Sequence, residues 1–417
     1  MPLLPALVVA LPLLLAAQTI EEQEWHLDAL DIYSAQDQTR GDGVIVAVID
    51  SGVDAKHPDL AGRVLPGTGF GSSKGTDGTT DTDGHGTGMA AIIAATGKNG
   101  GALGIAPGAR ILPIASAEKE QFTLDVVAES IRWAADHGAK VVNMSLGFSS
   151  SMTPSLVKAV NYAIEKDVVL VAATGNDGRD VSAPANIGGV IAVAGTNREG
   201  KPWKSSNVGA DTVLAAPAEG IVTAAPQSVY ASGYAEMDGT SAASAIVSGV
   251  AALVRAKHPE MPAKDVVNAL IKTAKDMAEP GRDTTTGFGM VDPMGAITAQ
   301  LPPVERNPLL PPAKPSTAQP TPTLAAQRPA QPDFEMKDRL SFVAAVSGAT
   351  ALLTALLITF PALRSRRATI PAPPTGTRGP YVPSESTKAP RVPESEAGGA
   401  HVGEGFLSAR DTPPTPW

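Results

Sequence analysis

Two hydrophobic rhythms alternate along the middle of the chain. Val44–Ile49 (VIVAVI), Ile111–Ile114, Val141–Met144, Val168–Ala172 and Val190–Ala194 are short β-branched runs with apolar residues on both faces, as in strands buried within a sheet. Between them, apolar residues recur at helical spacing. LDVVAESIRWAADHG (124–138) runs to a stop at Gly138, and TPSLVKAVNYAIEKD (153–167) offers Thr153 as N-cap with Pro154 in the first turn. The alternation predicts an α/β fold of three layers, a mainly parallel central sheet covered by helices on both faces. Ligand chemistry in such sheets sits at the carboxyl ends of the strands.

Outside this body the pattern changes. MPLLPALVVALPLLLAAQ (1–18) is uncharged and apolar, with Ala16 and Ala17 as a cleavage point, and reads as a signal peptide whose positive region is reduced to the amino terminus. A short extension, 19–40, follows. LSFVAAVSGATALLTALLITF has no charge, and as a helix it would span roughly 31 Å, enough to cross a bilayer. A transmembrane helix is therefore expected over 340–361. A proline-rich linker, 300–338, precedes it, and Arg364, Arg366 and Arg367 follow it, marking the cytoplasmic side. The expected product is a single-pass protein of the cell membrane, with its body (41–299) outside and a disordered tail (362–417) in the cytoplasm.

Composition narrows the chemistry. The chain of 417 residues is 43% hydrophobic but only 4% aromatic, with 41 Gly and 37 Pro, which suits an Ala/Val-rich α/β core with many turns. A formal net charge of −9 leaves no excess of Lys and Arg for phosphates, so nucleic acid is excluded as a partner. The absence of cysteine excludes disulfides, thiol catalysis and Cys-ligated metals.

Three positions then stand out. Asp50 ends a hydrophobic strand at its carboxyl side, just before Ser51-Gly52; taken alone, a solvated turn aspartate is the more ordinary explanation, and it suits Asp54 better. His85 lies between two glycines at the start of an apolar helix, whereas His57 and His258 each precede a proline in charged, surface-like contexts and His137 ends a helix. His85 is the best general-base candidate of the six histidines. Asp77, Asp81 and Asp83 raise the question of calcium, but their spacing fits a solvated loop better than any metal-binding loop, so no metal or other cofactor is expected. In DGTSAASAIVSGVAALV (238–254), Ser241 opens a helix, while Ser244 and Ser248 fall one turn apart in its interior and read as packing residues.

VAVIDSGVD, DGHGTGMAA, VAATGNDG and DGTSAASAIVSGVAALV together resemble the four signature segments of the subtilisin family of serine proteases, in that family's order Asp, His, Ser. The resemblance covers about residues 41–299. It implies that Ser241 is the nucleophile, His85 the general base and Asp50 the residue that orients and stabilises the imidazole. It also implies that Asn176 donates to the oxyanion, that Ser145, Leu146 and Gly147 pair with the substrate backbone, and that Ala173, Thr174 and Gly175 form the other wall of the pocket for the residue before the cut. Two positions depart from the pattern. Ala245 stands where a proline usually follows the nucleophile by four residues, and Phe148 stands where a second glycine is common.

The short extension, the WHLDAL segment, the proline-rich spacer and the C-terminal apolar segment resemble the mycosins, membrane-anchored subtilisin-like proteases of actinobacterial type VII secretion. The extension has no room for a folded inhibitory propeptide, and the lack of cysteine departs from the disulfide-bearing mycosins of mycobacteria. The expected function is a membrane-anchored serine endopeptidase acting on exported proteins or peptides, in association with a secretion complex. The alternative is an interaction protein, a structural part of a secretion assembly in which proteolysis is dispensable.

Overall fold

A computed structural model describes residues 18–116, 123–148, 152–277 and 280–312. The expected signal peptide, transmembrane helix and tail lie outside the described residues, as does most of the linker. Among the described residues no helix is long and apolar enough to cross a membrane.

Seven parallel strands form the centre: β1 (Ile45–Asp50), β2 (Thr68–Gly69), β3 (Arg110–Ala115), β4 (Val141–Met144), β5 (Val169–Ala173), β6 (Ile191–Thr196) and β7 (Leu214–Pro217). Their order is β2-β3-β1-β4-β5-β6-β7, and a separate antiparallel hairpin is made by β8 (Ile221–Ala224) and β9 (Tyr234–Met237). The five strands expected from β-branched runs are all present, shifted by at most two residues at an end.

Three short helices, α1 (Ile20–Gln23), α2 (Trp25–Ala29) and α3 (Ile32–Gln38), precede the sheet; α4 (His85–Ala94), α5 (Leu124–Asp136), α6 (Pro154–Glu165), α7 (Thr240–Lys257), α8 (Ala263–Thr273) and α9 (Pro293–Thr298) are interleaved with or follow it. α5 and α6 pack on one another and on β1, β3 and β5, while α4 and α7 pack on one another and on β1 and β4 to β7. Thr153 caps α6 as its sequence suggests, its hydroxyl accepting from Leu156 N–H at 3.3 Å. α7 is buried from Thr240 through Arg255, which is why its face needs small residues: a methyl group on Gly249 would press within 2.6 Å of Ile105 Cβ.

The folded body is larger than 41–299. Leu27, Leu30, Ile32 and Ala35 of the extension are buried in the core, and Trp25 Nε1 donates to the carbonyls of Glu219 and Gly220 at 3.2 and 3.1 Å. Beyond α9, Asn307 Nδ2 donates to Gly189 O at 3.2 Å and Gly189 N–H to Leu309 O at 3.1 Å. The start of the proline-rich segment is thus tied to Gly189 by one side-chain and one backbone hydrogen bond that its composition does not advertise.

Candidate active site

The start of α4 lies against the carboxyl end of β1, and the start of α7 against the segment that follows β4. Asp50 closes β1 and is buried; its Oδ1 accepts from Ser51 N–H at 2.8 Å and from His85 Nδ1–H at 2.8 Å. Because a carboxylate can only accept, the neutral His85 ring carries its proton on Nδ1, which makes Nε2 its basic nitrogen. Asp50 Oδ2 is buried without a hydrogen-bond partner among the described residues, so the neighbouring imidazole is the main group that answers its charge. Burial disfavours a charged His85, but attraction to Asp50 and the bond to it, with Asp83 and Asp81 behind, outweigh that and raise the ring to about 9. The side chain remains 19% exposed, enough for a substrate to reach its edge.

Asp81 is what aims this corner. It was expected in a solvated loop, yet it is buried, and both of its oxygens are occupied. Oδ1 accepts from Ser51 Oγ, Asp83 N–H and Gly84 N–H at 3.0, 3.0 and 2.9 Å, and Oδ2 accepts from Thr87 N–H and Thr87 Oγ at 2.9 and 2.6 Å. It therefore caps α4 and fixes the residues on either side of His85. Asp77 instead caps its own turn at Thr79. Among the described residues no group of three or more His, Asp or Glu is arranged to hold a metal ion.

Ser241 sits in the first turn of α7, where backbone N–H groups lack helical partners. Its Oγ lies 3.3 Å from the carbonyl oxygen of Ser145. Ser145 also lines, with Leu146, Gly147, Asp50 and His85, a cavity of about 30 Å³, so one segment borders both the hydroxyl and the Asp–His pair. Asn176 faces the same place. Its Oδ1 accepts from Thr240 N–H at 2.9 Å and Thr240 Oγ1 at 2.8 Å, which leaves Nδ2 as its free-facing donor. Gly239, at φ +153, permits the approach: a methyl there would lie 3.2 Å from Nδ2.

The remaining expected residues fall where β4 and β5 end. Met144 and Ala172 are the last paired residues of the two strands, and Ser145–Gly147 and Ala173–Gly175 continue side by side from them. Ser244 and Ser248 are more than packing residues. Ser248 Oγ donates to Asn143 Oδ1 (3.0 Å), Asn143 Nδ2 to Ser145 Oγ (2.9 Å), and Ser145 Oγ and Ser244 Oγ, 2.9 Å apart, each donate to Ser241 O at 3.0 and 2.9 Å. A buried polar chain thus links β4 to the residue that carries the hydroxyl. Ala245 leaves α7 continuous through this turn.

Several residues escaped the sequence reading. Thr240 Oγ1, besides holding Asn176, accepts from Gly175 N–H at 3.1 Å. Asn207 Oδ1 accepts from Asp177 and Arg179 N–H, both at 2.9 Å, and so shapes the loop after Asn176. Thr240 lies within the DGTSA stretch, where its polar side chain was the available signal, whereas Asn207 lies beside no motif. His57, expected at the surface, is buried, with Nε2–H donating to Gly233 O at 2.9 Å and Nδ1 accepting from Asp59 N–H at 3.2 Å; both nitrogens are committed to backbone.

An imidazole oriented by a buried carboxylate, a hydroxyl at a helix start and an amide donor locked toward it are the equipment of a serine endopeptidase. The chain belongs to the subtilase family, whose model matches residues 41–289. It is 34% identical over 281 residues to alkaline elastase YaB of Bacillus sp. (strain YaB), covering 66% of this chain and 70% of that protein. Among solved structures, MycP3 protease from the type VII (ESX-3) secretion system aligns with a TM-score of 0.59 at 32% identity, covering 66% of this chain and 88% of that one. MycP1 from Mycobacterium smegmatis aligns with a TM-score of 0.61 at 28% identity, covering 72% and 89% respectively. The fold is accordingly subtilisin-like.

Proposed function

We propose that the protein is a membrane-anchored serine endopeptidase that cuts exported proteins outside the cell membrane, in the service of a secretion complex, with Ser241, His85, Asp50 and Asn176 as its machinery. The observation that carries the chemistry is the 2.8 Å bond from His85 Nδ1–H to Asp50 Oδ1. In this reading His85 Nε2 takes the Ser241 proton as Oγ attacks the scissile carbonyl. The tetrahedral oxyanion is held by Asn176 Nδ2 and the Ser241 N–H, and the imidazolium, stabilised by Asp50, returns its proton to the leaving amine. Water then repeats the sequence on the acyl-enzyme and frees Ser241. Side chains make every proton transfer, so the reaction needs no cofactor.

Extended substrate would run along Ser145–Gly147, giving backbone affinity with little sequence selection. Anchoring is supported by the uncharged segment Leu340–Phe360 and the arginines after it. The secretion role is supported by likeness to the two mycosins over about two thirds of the chain.

The test is to replace the chromosomal copy with Ser241→Ala and compare the surface and secreted proteins by mass spectrometry. Uncleaved forms of exported proteins should accumulate in the mutant cells. Unchanged termini on every exported protein would sink the proposal, and restored secretion without any processing would favour a structural role.

A further inference from the structure

From Thr174 to Val190, between β5 and β6, the chain follows neither helix nor strand, so its backbone groups need partners from elsewhere in the fold. Asn176 sits in this stretch, with left-handed Gly175 (φ +110) before it and left-handed Gly178 (φ +63) after it. A donor there serves an oxyanion only if its backbone is held, since a displacement of about 1 Å can cost a hundredfold in rate.

One buried residue holds it. Asn207 N–H donates to Gly175 O at 2.8 Å, and Asn207 Oδ1 accepts from Asp177 N–H and Arg179 N–H, both at 2.9 Å. Gly175 C=O belongs to the peptide group before Asn176, and Asp177 N–H to the one after it. With both planes fastened to the same residue, the backbone torsions of Asn176 are set and only its side chain is left to aim. Thr240 completes that task through its two bonds to Asn176 Oδ1.

Asn207 is itself well anchored. It is 1% exposed, its Nδ2 donates to Ser182 Oγ at 3.2 Å, and Oγ of the preceding Ser206 accepts from Gly195 N–H of β6 at 3.0 Å. Two N–H groups converging on one atom also identify that atom as Oδ1. A methyl on Gly175 would fall 2.4 Å from Asn207 Nδ2, so only glycine lets the two segments come this close.

We infer that Asn207 is a positioning residue for the oxyanion donor, acting on the reaction through the backbone on either side of Asn176. The inference rests on the endopeptidase reading, in which Asn176 Nδ2 meets the oxyanion, and needs neither anchoring nor secretion.

The experiment is a double-mutant cycle on the full chain, read as kcat and KM for one internally quenched peptide that the wild type cuts, per mole of folded protein. Asn207→Ala should lower kcat at least about tenfold and move KM less than about twofold, as for an interaction made in the transition state. In an Asn176→Ala background the same change should cost less than about twofold, because the donor it positions is gone. Asn207→Asp keeps both acceptor bonds and should return kcat to within about threefold of wild type. If Asn207→Ala melts below the assay temperature, Asn207→Ser, whose shorter arm does not reach both N–H groups, carries the same comparison. An equal loss of kcat in both backgrounds, as a merely structural role would give, overturns the inference, and so does a loss confined to KM or an unchanged kcat in the folded variant. An Asn176→Ala enzyme as fast as wild type would instead overturn the oxyanion assignment beneath it.

Discussion

Thr240 holds Asn176 from two sides at once, its N–H and its hydroxyl both donating to Asn176 Oδ1, at 2.9 and 2.8 Å. The residue before the nucleophile thereby decides which end of the amide faces the substrate. Thr240→Val keeps the shape and removes the hydroxyl bond. It should lower kcat about tenfold with KM little changed, as expected for about 1–1.5 kcal/mol of lost orientation expressed in the transition state, while Thr240→Ser should restore most of the rate. A drop confined to KM would show that Thr240 acts on binding and not on the donor.

His85 makes the rate depend on pH. Its folded pKa of about 9 lies above the ordinary 6.5, so the free base becomes abundant only as pH rises toward 9, and kcat/KM should climb along that limb. Stability runs the other way: the Asp50–His85 pair contributes fully below about pH 6.5, and its contribution is lost as pH rises through about 9. Asp50→Asn removes the charge that raises the ring. The limb should move to lower pH and the plateau fall by about ten-thousand-fold; a limb that stayed in place would assign it to another group.

Glu24 is a carboxyl kept out of water. It is buried beside Leu103 N–H, which its Oε2 accepts at 2.8 Å, and burial is the chief cause that pushes its carboxyl up to about 9. In the unfolded chain it ionises near 4.5, so its cost to stability grows as pH rises from about 4.5 to about 9. Glu24→Gln should therefore leave Tm nearly unchanged at pH 4 and raise it by at least about 2 °C at pH 8. Thermal melts of the two proteins across that range decide it, and an equal effect at both pH values would contradict the assignment.

Ser248→Ala tests the polar chain behind the nucleophile. It strands the buried Asn143 Oδ1, which accepts from Ser248 at 3.0 Å, and should destabilise the fold by about 1–3 kcal/mol in urea denaturation. A change under about 0.5 kcal/mol would mean that the hydroxyl only fills space.

These residues also mark how far the sequence could be read. β1 and β3 to β6 are legible because their β-branched runs are apolar on both faces. β7, LAAP, is equally buried, but its alanines and proline carry no strand signature. The short extension, 19–40, opens on an acidic run and carries no strong core signature, yet it docks by burying Leu27 and Ile32 after Trp25, a fact that lies in the partner surface. Asp50, His85 and Ser241 stand out through their motifs, whereas Thr240 and Asn207 act through hydrogen bonds to residues distant in the chain, and Asp81 through bonds at the start of α4 and one to Ser51, 30 positions away. Their roles exist only once the strands and helices are assembled.

The central claim is that Ser241, activated by His85 and Asp50, is a working nucleophile. The most direct measurement is labelling of the folded full chain by a fluorophosphonate, followed by mass spectrometry of the modified peptide. The adduct should fall on Ser241, form faster as pH rises toward 9, and vanish in Ser241→Ala. A well-folded protein that takes no label, or a Ser241→Ala variant that labels as fast as wild type, would contradict the account.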